Sequence, residues 1–157
     1  MLNRLFPERL DNHYRGYKLA LWLFVPLTFM KVATSLLHIF SADGGARSIS
    51  TIPLDSYPLG AAQNVIALFA RMGLEQLLLG LLFVVVGLRY RAMIPLMYVL
   101  MAVSSFALEG LAHGKPLALA GTSGAKVPFM VLTAMTLLGL VLSLLGKGYE
   151  IESSPRV

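Results

Sequence analysis

The chain has 157 residues, of which 57% are hydrophobic and only 13% are charged, and its mean hydropathy is +0.73. A soluble domain carries about 25% charged residues, so this composition excludes a soluble catalytic module and indicates an integral membrane protein. The net charge of +5 is not arranged as a basic stripe with stacking aromatics, which argues against nucleic-acid binding, and the absence of cysteine excludes disulfides and thiol chemistry.

The N-terminal segment, residues 1–18, places apolar side chains at near-helical spacing among basic ones, in "MLNRLFPERLDNHYRGYK". Such a pattern is typical of a helix that lies on an anionic membrane surface. The alternative for so short a segment is a terminal tail without regular structure. Either way, the segment is predicted to lie at the cytoplasmic interface.

Four apolar segments follow, each long enough to cross a hydrocarbon core of about 30 Å, which requires about 20 residues. The predicted spans are residues 19–40, 61–88, 92–112 and 127–145. The outer loops are residues 41–60 and 113–126, and residues 146–157 form a tail. The short link "GLRYRA" predicts that the second and third spans pack side by side. The sequence therefore predicts one domain over 1–157, an all-α integral membrane protein folded as an antiparallel four-helix transmembrane bundle.

Basic residues outside the spans are distributed unequally between the two sides of the predicted bundle. Eight lie on the side of the termini: Arg4, Arg9, Arg15, Lys18, Arg89, Arg91, Lys147 and Arg156. Three lie in the two loops on the other side: Arg47, Lys115 and Lys126. Because cytoplasmic loops carry the excess of Lys and Arg, both termini are predicted to be cytoplasmic.

Ionisable residues also lie within the predicted spans, and in each span they share one helical face. The three stripes are Lys31, Thr34, Ser35 and His38; Asn64, Arg71 and Glu75; and Ser105, Glu109 and His113. A charge at the centre of a bilayer costs at least about 2.5 kcal/mol. The stripes are therefore predicted to converge inside the outer half of the bundle, where two cations balance two anions.

Two interpretations of these charges follow. In the first, they join helices, with Arg71 pairing to Glu75 and Lys31 to Glu109, and the protein is a non-catalytic accessory or interaction subunit of a larger membrane complex or of a homo-oligomer. In the second, they line a pocket for a lipid headgroup, a quinone or a small polar or anionic molecule. The pocket candidates are Lys31, His38, Arg71, Glu75, Glu109, His113, Asp55 and Tyr57. The last two belong to the first outer loop and either close over the pocket or form a surface turn.

Metal and catalytic chemistry have less support. Glu109 and His113 lie four residues apart and, with Glu75 and His38, offer carboxylate and imidazole ligands, but the two cations of the same layer would repel a metal ion. A haem held between His38 and His113 is the other cofactor alternative. The sequence contains neither G-x-S-x-G nor H-E-x-x-H. No catalytic residue, metal site or cofactor is therefore predicted, with a quinone or a haem as the alternatives.

Three stretches of the chain resemble a family of uncharacterised small bacterial membrane proteins with four spans. They are "PERLDNHYRGYKLALWLF", "IPLDSYPLGAAQNVIALFARMGLEQLLLGLL" and "RYRAMIPLMYVL", and the resemblance extends through Leu100. In length and number of spans the chain is also similar to DoxX-like membrane proteins. The resemblance implies a multi-pass protein of the bacterial inner membrane, and it implies no particular activity.

Overall fold

The computed structural model describes residues 2–145, and the regular structure in that range is helical, without strands. The helices are α1 (Leu2–Leu5), α2 (Lys18–Phe40), α3 (Leu59–Arg89), α4 (Ile94–Gly114) and α5 (Lys126–Leu145), with single 3₁₀ turns at Leu54–Ser56 and Arg91–Met93. Helices α2 to α5 are each long and apolar enough to cross a membrane. The prediction of an all-helical chain with four such helices is confirmed. The predicted tail, with Lys147 and Arg156, lies outside the described residues.

The N-terminal segment contains only one short helix. Only Leu2–Leu5 is helical, and the following residues run along the end of the bundle without regular structure. Arg4 Nη1 donates a hydrogen bond to the Leu144 carbonyl at 2.6 Å, and the Ala92 N–H donates to the Asp11 carbonyl at 3.3 Å. The segment is thus attached to both α5 and the turn before α4, which does not fit a free tail, and its placement at a cytoplasmic interface stays a prediction.

Glycines on α3 set its packing against α2. They are Gly73, Gly80 and Gly87, at seven-residue intervals that keep them on one helical face. A Cβ added at these positions would lie 2.7 Å from His38 Cβ, 3.0 Å from Val32 Cγ2 and 3.3 Å from Phe24 Cε1, respectively. Small residues allow such close approach of two helix backbones. Residue numbers fall along α2 as they rise along α3, so the contacts also define the register of the pair.

The remaining helices are arranged so that α3 and α4 are not neighbours. Helix α2 packs on both α3 and α5, and α4 packs on α5, whereas α3 and α4 barely touch away from the turn that joins them. The order across the bundle is α3, α2, α5, α4. The predicted side-by-side packing of the second and third spans is wrong, because α4 diverges from the short link and covers α5.

The main core lies at the end of the bundle that carries residues 2–17 and the turn at Tyr90, here called the N-terminal end. Its buried members come from α2, α3 and α4: Ala20, Phe24, Leu27, Phe83, Val86, Ile94, Met97 and Tyr98. The fully buried Tyr98 donates a hydrogen bond to the Ala20 carbonyl at 2.5 Å, and its ring meets Phe24 edge-on at 5.7 Å. Beyond Ala102, by contrast, α4 is mostly exposed. Helix α4 therefore packs with the other helices at the N-terminal end and diverges from them toward the other end.

That other end, here called the loop end, carries a cap formed by residues 41–58 and 115–125. Ala46, Ile52 and Leu54 make a small separate core, against which Ile66 and Phe69 of α3 pack. The second part of the cap joins the first through backbone hydrogen bonds, from Ala120 N–H to the Thr51 carbonyl and from Gly124 N–H to the Ile49 carbonyl. Because Gly73 is level with His38, the first turns of α3 extend beyond the end of α2 and support this loop cap.

Candidate functional site

The polar stripe of α2 faces into the bundle. Ser35 is fully buried, His38 is 7% exposed and Lys31 is half-buried. Ser35 Oγ donates a hydrogen bond to the Lys31 carbonyl at 2.6 Å. In residues 2–145, no carboxylate lies within 4.0 Å of the Lys31 ammonium group. Lys31 therefore lies in the middle of the apolar helices without a counter-ion from the described part of its own chain.

His38 attaches the loop cap to α2. Its Nδ1 lies 2.6 Å from the Gly44 carbonyl, which can only accept, so Nδ1 carries the proton. Its ring packs edge-on against Phe69 at 5.7 Å. The turn beneath it requires glycine, because Gly44 and Gly45 have φ of 61° and 79°. This arrangement gives His38 a structural role through Nδ1, and the ligand role predicted for it stays a prediction.

Arg71 and Glu75 do not converge with the stripe of α2, contrary to the prediction. Both are exposed, on the side of α3 opposite its glycine face. Helix α2 already covers the glycine face and α4 diverges, so neither covers these two side chains. At 1.5 Å per residue from Arg89, Glu75 lies about 21 Å and Arg71 about 27 Å along α3. Arg71 is thus close to the level where α2 ends, and Glu75 lies one turn deeper.

The predicted pairs Arg71 with Glu75 and Lys31 with Glu109 do not form. Within the described range, the ion pairs shorter than 4.0 Å are Arg15 with Asp11 at 3.1 Å, Arg47 with Asp55 at 2.8 Å, and His113 with Glu109 at 3.5 Å. The side chains of Glu109 and His113 are 59% and 82% exposed. They lie on the open, loop-end half of α4, which explains why the third stripe does not meet the first.

The two predicted loop residues, Asp55 and Tyr57, have different surroundings. Asp55 lies in an exposed turn and pairs with Arg47. Tyr57 lines an apolar cavity of about 200 Å³ under the loop cap, together with Leu68, Phe69 and Leu117. Asp55 therefore fits the surface-turn alternative, and Tyr57 is one of the residues that line this apolar space.

Asp43 organises the loop cap, and sequence reasoning missed it. Its carboxylate accepts hydrogen bonds from the N–H groups of Gly45 at 2.9 Å, Arg47 at 3.1 Å and Ser48 at 2.6 Å. Burial alone would raise the pKa of Asp43, but the hydrogen bonds outweigh it and lower the pKa to about 2. The signal was present in "SADGG", because an Asp before glycines is typical of a turn that its side chain closes.

We expect Asp43→Ala to accelerate tryptic cleavage after Arg47 by more than about tenfold, because three charge-assisted hydrogen bonds are lost. Asp55→Ala is the matched control: it removes only an exposed ion pair, so its effect should stay below about fivefold. Since the pKa of Asp43 lies below its ordinary value of 3.8, its contribution is present above about pH 4 and is lost as the pH falls toward about 2. After correction for the intrinsic pH dependence of exchange, amide protection in the cap should follow that pH window in the wild type and in Asp55→Ala, and not in Asp43→Ala. Equal cleavage of both variants would contradict this role.

Two threonine hydroxyls inside the bundle lack hydrogen-bond partners. Among the described residues, the buried side-chain oxygens without a partner are those of Tyr14, Thr28, Ser41 and Thr133. Thr28 is on α2, where it is 8% exposed, and Thr133 is on the adjacent α5. A helical threonine ordinarily donates to a carbonyl of the preceding turn, as Thr136 does to Leu132 at 2.8 Å. Neither threonine belongs to the three polar stripes predicted from the sequence.

No family model, curated protein or solved structure matches the chain. Its resemblance to the bacterial four-span family stays a prediction. In the part of the chain that the structure describes, no three His, Asp or Glu side chains are grouped as metal ligands. Two features remain for a functional interpretation: the exposed charges on α3, and the half-buried Lys31 with the hydroxyls near its depth.

Proposed function

We propose that this chain is a non-catalytic integral membrane protein that acts by assembly, and that its docking surface is the ion face of α3. The ion face is defined by Asn64, Arg71 and Glu75. The observation that carries the proposal is the exposure of Arg71 and Glu75 on a helix that is otherwise apolar enough to span a membrane. The occupant to which we commit is a second copy of the same chain.

In this proposal α2 to α5 cross a bacterial inner membrane in alternating directions, as an antiparallel bundle with both termini in the cytoplasm. The excess of Lys and Arg at the N-terminal end supports the orientation. The loop cap then lies on the periplasmic side. The ion face lies in the outer half of the membrane, with Glu75 deeper than Arg71.

The cost of leaving the ion face in lipid favours a partner. A hydrocarbon core is about 30 Å thick, so Glu75, about 21 Å along α3 from Arg89, lies within it. Arg71 does not neutralise Glu75 inside the chain, since no ion pair forms between them. An Arg that precedes a Glu by four residues is also the weaker order for such a pair on one helix. A carboxylate in lipid is therefore left without a counter-ion, and assembly would supply one.

The ion face is self-complementary, and this favours a second copy over other partners. Arg71 and Glu75 are one helical turn apart, about 6 Å along the axis, and share one side of α3. A two-fold axis along the membrane normal brings this side against the same side of another α3, as closed symmetric dimers require. Because this axis keeps equal residues at equal depth, Arg71 of each copy lies about 6 Å along the axis from Glu75 of the other, and the two side chains pair diagonally, as e and g residues do in parallel coiled coils. Two reciprocal ion pairs form, and no charge in the face is left unpaired.

Charge reversal tests this pairing. Arg71→Glu makes the face wholly acidic and Glu75→Arg makes it wholly basic, so each variant alone should lose the dimer by like-charge repulsion. A mixture of the two variants should form the mixed dimer, and the double variant Arg71→Glu/Glu75→Arg should form a dimer alone. Stoichiometry would be counted by single-molecule photobleaching in lipid bilayers, where a change of about tenfold or more in dimerisation is expected for each single reversal.

Glu109→Arg provides the matched control, because it reverses an exposed carboxylate on α4 that lies outside the ion face. It should leave the dimer intact. A dimer that survives both single reversals would contradict the proposal, and so would a monomeric wild type. Recovery of a different membrane protein with the wild type, lost in both single reversals, would assign the ion face to a heterologous partner instead of a second copy.

A further inference from the structure

We propose that Lys31, Thr28 and Thr133 form a binding site for one carboxylate group, on the interior side of α2, which packs on both α3 and α5. The site is separate from the ion face, so it does not depend on the assembly proposed above. It rests on two independent observations: a half-buried lysine without a carboxylate within 4.0 Å among residues 2–145, and two buried hydroxyls without hydrogen-bond partners.

The three residues lie at nearly one depth. The hydrogen bond from Tyr17 N–H to the Leu142 carbonyl, at 3.2 Å, aligns the ends of α2 and α5. At 1.5 Å per residue from that point, Thr28 lies about 17 Å along α2 and Thr133 about 14 Å along α5. Lys31 lies about 21 Å along α2, and long helical side chains lean toward the helix N-terminus. Its ammonium group is thus directed toward the level of the two hydroxyls.

Residues on α2 show that this side is the interior one. Lys31 follows Thr28 by three residues and Leu27 by four, so the three share a helical face. Leu27 is in the buried core and Thr28 is 8% exposed. On the α3 side, a Cβ at Gly80 would lie 3.6 Å from Lys31 Cγ. The stem of Lys31 is therefore held by packing between helices, which fixes where its charge is placed.

The chemistry of the site selects an acceptor with one negative charge. An ammonium group donates three hydrogen bonds and accepts none, and each threonine hydroxyl can donate one. A ligand must therefore supply acceptor oxygens, and a single cation is neutralised by a monoanion. A carboxylate meets both conditions with its two oxygens. In a low-dielectric site a charged pair of this kind is bound through short, charge-assisted hydrogen bonds.

A carboxylate at this depth has two sources: a fatty acid from the lipid phase or a small acid from water. The loop-end half of the bundle is open between α3 and α4, and the exposed side chains there are largely apolar, which favours the fatty acid. Oleate is therefore the principal probe and acetate the second. The whole chain would be reconstituted in phosphatidylcholine nanodiscs for both.

Equilibrium binding of radiolabelled oleate to these nanodiscs tests the site. We expect saturable binding of one oleate per chain, a loss of about tenfold or more in affinity in Lys31→Met, and retention within about threefold in Lys31→Arg, which keeps the charge. Thr133→Val should weaken binding by several-fold without changing the charge. Lys126→Met is the matched control, because it removes an exposed lysine at the start of α5, outside both the ion face and this site, and should leave oleate binding unchanged.

Each outcome bears on the proposal. If millimolar acetate displaces oleate, the carboxylate site stands and its ligand is a water-soluble acid; if it does not, the site stands with an amphiphilic acid. Equal binding by wild type and Lys31→Met, with helical circular dichroism unchanged, would overturn it, as would unsaturable binding. Displacement by phosphatidylglycerol as effective as by oleate would overturn the carboxylate class. Should Lys31→Met fail to fold, Thr133→Val and Lys31→Arg must still differ in oleate affinity.

Discussion

Gly139→Ala is expected to destabilise the protein by about 3 kcal/mol or more, although alanine is the better helix former. A Cβ at Gly139 of α5 would overlap the ring of Tyr98 on α4. Forcing extra carbon into a packed core typically costs about 1–3 kcal/mol, and more where the neighbour is unable to move. Tyr98 is such a neighbour, because it is fully buried and its hydroxyl donates to the Ala20 carbonyl. The contact links α5 to α4 and, through the Tyr98 hydrogen bond to Ala20, to α2.

A control is available on α4 itself. Gly110 is helical and has no atom within 4 Å of an added Cβ, so Gly110→Ala should stabilise the helix by about 0.5–1 kcal/mol. Unfolding in detergent, followed by circular dichroism, would give both free energies. The variant Tyr98→Leu should remove most of the penalty of Gly139→Ala, because the two changes act on one contact. Destabilisation of similar size at Gly139 and Gly110 would show that the tyrosine is not the cause.

The helices themselves could be predicted from the sequence with little error. The length of each apolar segment determines where a membrane-spanning helix is predicted. The predicted span 19–40 differs from α2 by one residue at its start. The predicted span 61–88 is also within two residues of α3 at each end, although α3 has 31 residues, about 46 Å of helix, which exceeds the thickness of a hydrocarbon core. The extra turns support the loop cap, and hydropathy contains no information about which part of a long apolar helix lies outside the membrane.

The relative rotation of the helices was the part that the sequence did not determine. The rule that intramembrane charges face inward placed Lys31 correctly on the packed side of α2, but it failed for Arg71 and Glu75. Helix α3 has one packed face, and Gly73, Gly80 and Gly87 occupy it. The charges and the glycines lie on opposite sides of α3, so only one of the two sets can face α2. The glycines do, because they allow close packing of the two backbones. The seven-residue glycine spacing was visible in the sequence and would have predicted the outcome.

The predicted ion pair of Lys31 with Glu109 was wrong for a related reason. Balanced totals of cations and anions say nothing about distance, and the helix order α3, α2, α5, α4 separates the predicted partners. Lys31 lies on α2, whereas Glu109 lies on the part of α4 that diverges from the core. The short "GLRYRA" link keeps the end of α3 close to the start of α4, but it does not make the two helices pack along their lengths. A charge balance within one chain is thus compatible with pairing between chains, as proposed for the ion face.

His38→Leu is expected to release the loop cap, whereas His38→Asn should retain most of it. Leucine fills the space of the ring but leaves the buried Gly44 carbonyl without a donor, at a cost of about 1–3 kcal/mol. Asparagine places its amide nitrogen where Nδ1 lies in histidine, so the hydrogen bond to Gly44, now 2.6 Å, can be kept. Hydrogen exchange of the amides in residues 41–58 would measure the difference. We expect exchange about ten times faster in His38→Leu than in His38→Asn.

The comparison separates a structural histidine from a ligand. A haem or metal ligand would be lost equally in both variants, since neither leucine nor asparagine replaces imidazole at an iron or zinc ion. A hydrogen-bond donor to Gly44 would be lost in one variant only. Gly45→Ala serves as an independent check, because its φ of 79° strains any side chain and an added Cβ would lie 3.2 Å from His38 Nδ1. It should loosen the same amides as His38→Leu, and equal protection in all three variants would contradict the structural role of His38.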